Sequence, residues 1–430
     1  MPTSPVSAPV NVSLPMGDSP VRGHSKAYPR DHMGVIAKIQ LYLRQHSGAV
    51  LATVCFFAFC LLISSDFIHN SAPGLRAHGS GEINFAGAVK KGYFSTAGSI
   101  VKENIFKFAA VTDLDQLSKF EDGDKIKFKS HLLPGTLTRN PSDGTYSIEM
   151  EETREIITGH NEAGRGAEFS ELQVFNNRLL TFDDRTGEVF EIRNNADGKS
   201  SYLVPRFVVT EGEGDTDKGM KWEWATVKDD ELYIGSMGKE YTRPDGTIKN
   251  KNNLWISVLD NRGSLTRVDW SSQYNFVRHH LGADSPGYLI HEAIRWSEHL
   301  HKWVFAPRRI SDQKYDDEAD ERKGSNKVVL VNEGFTSAET ITVKMASNDG
   351  LHGFSSFAFV PGTNDKHVLA LRSVEEDCAG DDLDICKQRS YFVVFDVTTG
   401  DVLMDEVEID KKMKFEGVEF VDLNTIPPTD

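Results

Sequence analysis

The segment FSELQVF at residues 169–175 is the first of five similar segments that decide the fold of this chain. In each one, an acidic or hydroxyl-bearing residue opens a short run of alternating apolar residues. The other four are KWEWATV at 221–227, IHEAIRW at 290–296, GFSSFAFV at 353–360 and FEGVEFV at 415–421. The key positions Glu171, Glu223, Glu292, Ser355 and Glu416 follow one another at steps of 52, 69, 63 and 61 residues. A four-stranded blade with generous loops fits that length, so the repeat predicts an all-β, five-bladed β-propeller.

The sequence between these segments is also typical of a fold made of strands. Runs rich in Val, Ile, Phe, Tyr and Trp, such as LQVFNNRLLTF and NLWISVL, alternate with hairpin-type turns such as DRTG and NRG. Long helical patterns are scarce. This texture on its own fits a sandwich, a barrel or a propeller, and the five-fold repeat favours the propeller.

Convergence of the five key positions predicts a central cation. The innermost strands of a propeller surround a channel, so equivalent positions on them meet near the axis. One pair of like charges about 4 Å apart costs about 4 kcal/mol at an effective dielectric constant of 20. The carboxylates must therefore take up protons or share a cation. Ca²⁺ accepts roughly 6–8 oxygen ligands and suits them better than Mg²⁺ or zinc. The simpler interpretation, solvated strand ends, is weakened by their common register.

The N-terminal part differs from the rest of the chain in charge and hydropathy. The 430 residues carry a net formal charge of −16, but residues 1–65 carry +3 and the remainder −19. Residues 47–65, SGAVLATVCFFAFCLLISS, have no charged side chain and nearly the length of a bilayer-spanning helix, about 20 residues. Basic residues precede this span, which predicts a cytosolic N-terminus. A buried core helix and a cleaved signal peptide are the alternatives.

We therefore expect four regions in the chain. They are a disordered cytosolic tail (1–46), a transmembrane signal anchor (47–65), a lumenal stem (66–104) and the propeller (105–430). This describes a single-pass type II membrane protein of the endoplasmic reticulum or Golgi, and a secreted, cleaved form is compatible with it. The acidic balance argues against a nucleic-acid partner. The oligomeric state stays open, with a homodimer among the options.

Two cysteines lie outside the predicted membrane span, in an acidic loop. Cys378 and Cys386 are separated by eight positions in SVEEDCAGDDLDICKQRS. In an oxidising lumen this spacing favours a local disulfide. A metal site, the alternative, needs more soft ligands nearby than the sequence offers.

Several long motifs make the chain resemble the calcium-activated nucleotidase (apyrase) family, which includes vertebrate soluble calcium-activated nucleotidases and salivary apyrases of blood-feeding arthropods. The motifs occur in order between about positions 106 and 420. They are GRGAEFSEL, DDRTG, KGMKWEW, VKDDELYIGSMGKE, PGYLIHEAIRWS, WVFAPRR, DERKGSN, HGFSSFAF and KFEGVEF. The resemblance implies a five-bladed propeller with one central Ca²⁺. It also implies hydrolysis of nucleoside di- and triphosphates, often with UDP and GDP preferred over ADP in non-salivary members.

The resemblance also implies roles for individual residues. The expected calcium ligands are Ser170, Glu171, Glu223, Glu292, Ser355 and Glu416. Asp113 and Asp184 match the acidic residues needed for activity. The expected phosphate-binding residues are Arg165, Arg185, Lys218 and Arg308. The chain departs from the family at Ala167 and Glu171, where other members carry GRGMELSDL, and the longer Glu171 leaves its mode of coordination open.

A mechanism follows from these expectations. Water attacks the terminal phosphate in line, Asp184 or Asp113 positions or deprotonates it, and Arg308 and Arg165 hold the phosphoryl group. In the lumen, UDP or GDP released by glycosyltransferases would become monophosphates, which relieves product inhibition. Two alternatives remain. One is a calcium-dependent lactonase or esterase propeller with His291 as the candidate base, and the other is a non-enzymatic binding module stabilised by calcium.

Overall fold

The computed structural model describes residues 101–426, apart from positions 103, 244–246, 348, 379–385 and 410–411. The predicted cytosolic tail and membrane anchor lie outside these residues, as does most of the stem. Among the residues described, there is no helix long and apolar enough to cross a membrane.

The first blade is a seven-stranded sheet that takes strands from both ends of the domain. Six of them come from its N-terminal part: β1 (Val101–Lys102), β2 (Ile105–Thr112), β3 (Lys119–Asp122), β4 (Lys125–Arg139), β5 (Tyr146–Met150) and β6 (Arg154–Thr158). A 3₁₀ helix, Asp115–Ser118, joins β2 to β3.

Blades two to five are four-stranded antiparallel sheets. Blade two contains β7 (Phe169–Phe175), β8 (Arg178–Asp183), β9 (Glu188–Asn194) and β10 (Ser201–Val208). Blade three contains β11 (Trp224–Lys228), β12 (Glu231–Gly235), β15 (Trp255–Leu259) and β16 (Leu265–Asp269). A separate hairpin of β13 (Tyr241–Thr242) and β14 (Ile248–Asn250) is inserted between β12 and β15. A 3₁₀ turn, Asn252–Leu254, precedes β15.

Blade four follows the longer helix of the domain, and small elements near the site are inserted into it. In chain order these elements are α1 (Ser271–His280), β17 (Tyr288–Ile290), β18 (Ile294–Ser297), β19 (Lys302–Phe305), β20 (Arg309–Ser311), α2 (Asp317–Asp320), β21 (Lys327–Asn332) and β22 (Ala338–Thr342). The blade itself has the order β18, β19, β21, β22, while β17 pairs separately with β20.

Blade five and the closing strand complete the ring. Blade five contains β23 (Gly353–Phe359), β24 (His367–Glu376), β25 (Lys387–Asp396) and β26 (Val402–Glu408), and it is followed by β27 (Phe415–Glu419) and a 3₁₀ turn, Leu423–Thr425. β27 pairs with β2 and so becomes the innermost strand of blade one. The inner strands β27, β7, β11, β18 and β23 lie side by side in that order and close on themselves. The predicted all-β, five-bladed propeller is therefore confirmed, while the predicted membrane helix lies outside the described residues.

The core is divided into five apolar clusters, one at each interface between neighbouring blades. Each blade thus packs against a neighbour on both faces, and the inner strands such as β7 and β23 are buried at nearly every position. The interface of blades three and four is the most aromatic, with Trp224, Trp270, Trp296 and Trp303 in one cluster. Burial of a large apolar side chain contributes about 1.5–3 kcal/mol, so these interfaces hold the inner strands in place.

Candidate active site

Three of the predicted ligands meet at one end of the ring of inner strands. Glu223 directly precedes β11, Glu292 lies just before β18, and Glu416 lies in β27. All three are buried, and one carboxylate oxygen from each lies within 4.8 Å of the others. They border a cavity of about 210 Å³, whose lining residues are Asp113, Asp115, Asp184, Lys221, Glu223, Met237, Ile290, Glu292, Arg308, Arg309, Asp320, Glu375, Lys414 and Glu416.

Irregularities in the inner strands mark the predicted ligand positions. The pairing register shifts at Ser170 in β7, at Ser355 in β23 and at Glu416 in β27, so each of these residues lacks a direct partner on the neighbouring strand. Such bulges bend a strand and change the direction of its side chains and carbonyls. The three predicted ligands therefore share a local geometry that regular strands do not offer.

Acidic groups outnumber basic groups around the cavity. Its described lining includes eight carboxylates and four cationic side chains. Arg308 makes three of the ion pairs, with Glu292, with Glu416 at 3.0 Å and with Glu375 at 2.6 Å. Lys221 pairs with Asp184 and lies 2.9 Å from Glu223. The cavity can thus hold both a divalent cation, on its surplus of carboxylates, and an anionic ligand, on its buried cations.

Lys414 joins the two sides of the cavity. Its Nζ lies 2.8 Å from Asp113, 2.9 Å from Asp115 and 3.3 Å from both Glu375 and Glu416. Asp113 directly follows β2, which is the second strand of its sheet because β27 takes the inner place. One ammonium group therefore connects the acids that follow β2 with the acids of blade five and β27.

Burial raises the pKa values of the three clustered glutamates. It raises the pKa of Glu223 to about 8, with repulsion from Glu292 and Asp184 adding to the effect and Lys221 opposing it. Burial also raises the pKa values of Glu292 and Glu416. Glu375 behaves differently, because Arg308 and Lys414 outweigh burial and lower its pKa.

This donor set fits Ca²⁺. The carboxylates are hard oxygen donors, and a cation between them would relieve the repulsion that raises their pKa values. Two further oxygen atoms at predicted site residues, Asp184 Oδ1 and Ser170 Oγ, are buried without a hydrogen-bond partner. Buried polar atoms of this kind are rare in folded proteins and are consistent with a site that accepts a ligand.

Glu171 lies apart from the three clustered glutamates. Its carboxylate accepts hydrogen bonds from Ser356 Oγ at 2.9 and 3.0 Å and lies 3.4 Å from Arg295 Nη2. Burial raises its pKa to about 8, although Arg295 opposes the rise. Its role as a ligand stays a prediction, because in this structure its oxygens contact protein groups and it is not among the residues that line the cavity.

The predicted phosphate-binding residues are placed at different distances from the cavity. Arg308 lines it. Arg165 does not line the cavity but contacts a residue that does. It donates hydrogen bonds of 2.8 and 2.5 Å to Glu168 and lies 3.4 Å from Asp115, which lines the cavity. Arg185 and Lys218 do not line the cavity.

Arg185 and Lys218 instead contact groups on the flanking loops. Arg185 lies 3.4 Å from Glu162. Lys218 lies 3.8 Å from Glu211 and 4.8 Å from the centre of the Tyr241 ring. The roles predicted for them stay predictions, with no contact to the cavity in support.

Sequence reasoning missed two of the cations in the cavity, Lys221 and Lys414. Each precedes a predicted ligand by two residues, Glu223 in one case and Glu416 in the other. Neither lysine lies within a strand, yet the lysine Nζ is 2.9 Å from Glu223 in the first pair and 3.3 Å from Glu416 in the second. A lysine at that spacing from each ligand was therefore a usable signal.

Two other predicted features have clear positions. Cys378 and Cys386 are joined in a disulfide. His291 is buried against the rings of Tyr274 and Phe305, at centroid distances of 5.6 and 5.3 Å, and burial lowers its pKa to about 3. It does not line the cavity, so the structure gives no support to a lactonase or esterase with His291 as the base.

Fold and site together define a class of protein: a five-bladed propeller with a buried carboxylate cavity that suits a divalent cation and an anionic ligand. Comparison with known families makes this specific. The profile of the family described as "Apyrase" matches residues 114–421, and the chain belongs to that family. It is a nucleotide-hydrolysing enzyme, so a purely non-enzymatic binding module is not supported.

Individual relatives match over most of their length. "Soluble calcium-activated nucleotidase 1" of Rattus norvegicus is 37% identical over 317 residues, which cover 74% of each chain. "Apyrase" of Cimex lectularius is 36% identical over 349 residues, 80% of this chain and 89% of the relative. "Apyrase apy-1" of Caenorhabditis elegans is 37% identical over 317 residues, 73% of this chain and 84% of the relative.

Proposed function

We propose that this enzyme hydrolyses nucleoside diphosphates, chiefly UDP and GDP and also some triphosphates, to monophosphate and phosphate in a calcium-dependent reaction. The observation that carries the proposal is the meeting of Glu223, Glu292 and Glu416 in one cavity, with Arg308 paired to Glu292 and Glu416. Such a site offers opposite charges to a metal ion and to the phosphate that accompanies it. The rat relative, whose name states activation by calcium, supports the choice of metal.

Glu223, Glu292 and Glu416 would hold the Ca²⁺, with Ser170, Glu171 and Ser355 as the further ligands expected from the family. When bound, the ion neutralises negative charge on phosphate oxygens. Because the pKa values of Glu223, Glu292 and Glu416 are raised, the ion must compete with protons for their carboxylates.

The residues of the chain supply the remaining steps. Arg308 binds oxygens of the terminal phosphate, because a guanidinium offers paired donors to such groups. Asp184 accepts the proton of the attacking water, since its Oδ1 is buried without a partner while Lys221 holds its other oxygen. Asp113 is the less suitable base, because Lys414 and the backbone N–H of Asp115 already occupy its oxygens. The bond from phosphorus to the bridging oxygen breaks, and the nucleoside monophosphate leaves with that oxygen.

Replacement of Asp184 by asparagine tests this assignment. We expect phosphate release from UDP to fall at least about a hundredfold, as for loss of a positioned base, with the fold and calcium binding retained. Asp230→Asn, in the exposed turn between β11 and β12, is a matched control and should keep full activity. Undiminished turnover by Asp184→Asn would remove Asp184 from the mechanism.

A substrate and metal panel tests the proposed activity as a whole. UDP, GDP, ADP, CDP and ATP are each assayed with calcium, with magnesium and with EDTA. We expect turnover with calcium, little with magnesium and none with EDTA. Equal rates with magnesium would contradict the calcium assignment, and no turnover of any nucleotide would contradict the function.

We also propose that the enzyme works in the lumen of the endoplasmic reticulum or Golgi, anchored by residues 47–65. The support comes from the uncharged span and from the basic residues that precede it. There it would convert UDP and GDP, released by glycosyltransferases, to monophosphates. Protease protection of the C-terminal domain in intact vesicles, together with higher lumenal UDP after loss of the protein, is the expected result. Digestion of that domain in intact vesicles would contradict this topology.

A further inference from the structure

A second, larger cavity adjoins the catalytic one. It has a volume of about 380 Å³, compared with about 210 Å³ for the catalytic cavity. Sites for ligands of drug size usually occupy about 300–1,000 Å³, so the second cavity reaches that range and the first does not. Its described lining combines the leucines Leu114 and Leu117 with the polar or charged residues Asp115, Lys387, Gln388 and Arg389.

Asp115 belongs to the walls of both cavities. On the catalytic side its carboxylate lies 2.9 Å from Lys414 Nζ and 3.4 Å from Arg165. On the other side its Oδ2 accepts a hydrogen bond of 3.0 Å from Gln388 Nε2. A ligand that extends past this carboxylate can therefore occupy both cavities at once.

The two cavities differ in charge and polarity. Carboxylates dominate the catalytic cavity by eight to four among its described lining residues. The described lining of the second cavity has three bases, Lys387, Arg389 and Lys412, against Asp115 and Glu408. Lys387 also pairs with Asp377 at 2.9 Å and Arg389 with Glu376 at 3.1 Å, outside the lining. Such solvent-accessible pairs are weak, so an anionic group can compete for these bases without a metal ion.

The second cavity also has an apolar wall. Leu114 directly precedes the 3₁₀ helix after β2, and Leu117, which is 58% exposed, lies within that helix. A leucine exposed to this extent on the rim of a cavity is available to contact the flat face of a ligand. The opposite wall starts at the disulfide-bonded Cys386, which fixes the beginning of β25.

We propose that the second cavity binds the nucleoside and the α-phosphate of the substrate, while the catalytic cavity holds the terminal phosphate. This inference rests on the proposed nucleotidase function and names the part of the chain that recognises the nucleoside. Leu117 contacts the base or ribose, the bases of the cavity attract the α-phosphate, and the Gln388 amide orients Asp115 between the two cavities. Nucleotide preference is then set at the 3₁₀ helix and at the start of β25.

Variants of Leu117 test the proposal with UMP and inorganic pyrophosphate as probes. Calorimetry on the full-length chain in calcium measures the Kd of each probe. UMP needs the second cavity, whereas pyrophosphate needs only the catalytic one. We expect Leu117→Ala to weaken UMP binding about threefold through lost apolar contact. Leu117→Asp, which adds a negative charge, should weaken it about tenfold or more.

The remaining measurements separate this proposal from its alternatives. Pyrophosphate binding should stay within about twofold. Leu265→Ala, a partly exposed leucine on β16 that lines neither cavity, should match the wild type in both binding measurements. Unchanged UMP affinity in Leu117→Asp would overturn the subsite, as would an equal loss of UMP and pyrophosphate binding. UMP binding that depends on Leu117 in a protein without turnover would contradict the nucleotidase function and leave the subsite intact.

Discussion

Replacement of Arg295 by methionine removes the cation that connects three inner strands. The guanidinium is buried on β18 and reaches β7 and β27. Its Nη1 lies 3.0 Å from Glu419, and its Nη2 lies 3.4 Å from Glu171. Nη2 also donates to the carbonyls of Leu172 and Val418, at 3.2 and 2.9 Å. Methionine keeps the approximate length of the side chain but leaves both carboxylates without their cation.

The size of the effect follows from burial. Removal of one partner from a buried ion pair costs about 3–5 kcal/mol. A domain of roughly 320 residues has an unfolding entropy near 0.7 kcal/mol per kelvin, from about 2.1 cal/mol per kelvin per residue. The variant should therefore unfold about 4–7 °C below the wild type.

The loss should also depend on pH. Burial already raises the pKa of Glu171 to about 8 with Arg295 present, and removal of Arg295 raises it further. A carboxyl group whose pKa is raised by folding leaves the free energy of unfolding unchanged at a pH where it is protonated in both states. As pH rises from the unfolded-state pKa toward the folded-state pKa, it lowers the free energy of unfolding. The decrease in Tm should thus be smaller at pH 5 than at pH 8.5.

Thermal unfolding of the full-length chain, followed by circular dichroism in EDTA at the two pH values, measures both effects. Arg262→Met is the control, because the Arg262 side chain is 85% exposed and contacts Asp260 only at 3.5 Å. Surface pairs of this kind contribute about 0–1 kcal/mol. Adding Glu171→Gln to Arg295→Met should recover about 1 kcal/mol or more. An Arg295→Met variant that unfolds within about 2 °C of the wild type at pH 8.5 would show that this cation does not hold the inner strands together.

Three further predictions concern the metal, the cavity and the disulfide. Calcium affinity should rise from pH 6 to pH 8, because Glu223, with a pKa of about 8, must lose its proton to bind the ion. Calorimetry that finds no pH dependence would contradict this. Lys414→Met should lower kcat for UDP about a hundredfold, since four carboxylates lose a shared cation. A kcat within threefold of wild type would contradict the role of Lys414. The free energy of unfolding of the double variant Cys378→Ser/Cys386→Ser should be about 2–3 kcal/mol lower, as chain entropy predicts for a loop of this size. An unchanged Tm would show that the disulfide contributes no stability.

The architecture was predictable because the repeat reports directly on it. One oxygen-bearing residue per blade, at steps of 52 to 69 positions, requires five equivalent strands around one axis. The same repeat brought Glu223, Glu292 and Glu416 together correctly. Such repeats are visible in the sequence because each blade packs against its two neighbours in the same way.

The details that failed to follow from sequence depend on register and bulges. Lys218 and Lys221 lie in the same motif, but only Lys221 is two residues from Glu223 and points to the same side. The shift at Ser170 turns Glu171 toward Arg295 and Ser356, and no pattern of residue types announces such a shift. Arg185 belongs to a motif of the family, yet its contact is with Glu162, because a long side chain at a turn can reach several partners.

The strand that closes the ring also carries part of the active site. Glu416 lies in β27 and Lys414 just before it, and both reach the cavity only when β27 pairs with β2 from the other end of the domain. During synthesis, Glu223 and Glu292 emerge long before their third partner exists. A growing or truncated chain thus has most of its scaffold but an incomplete cation site. The cation site is complete only once β27 has been made and has paired with β2.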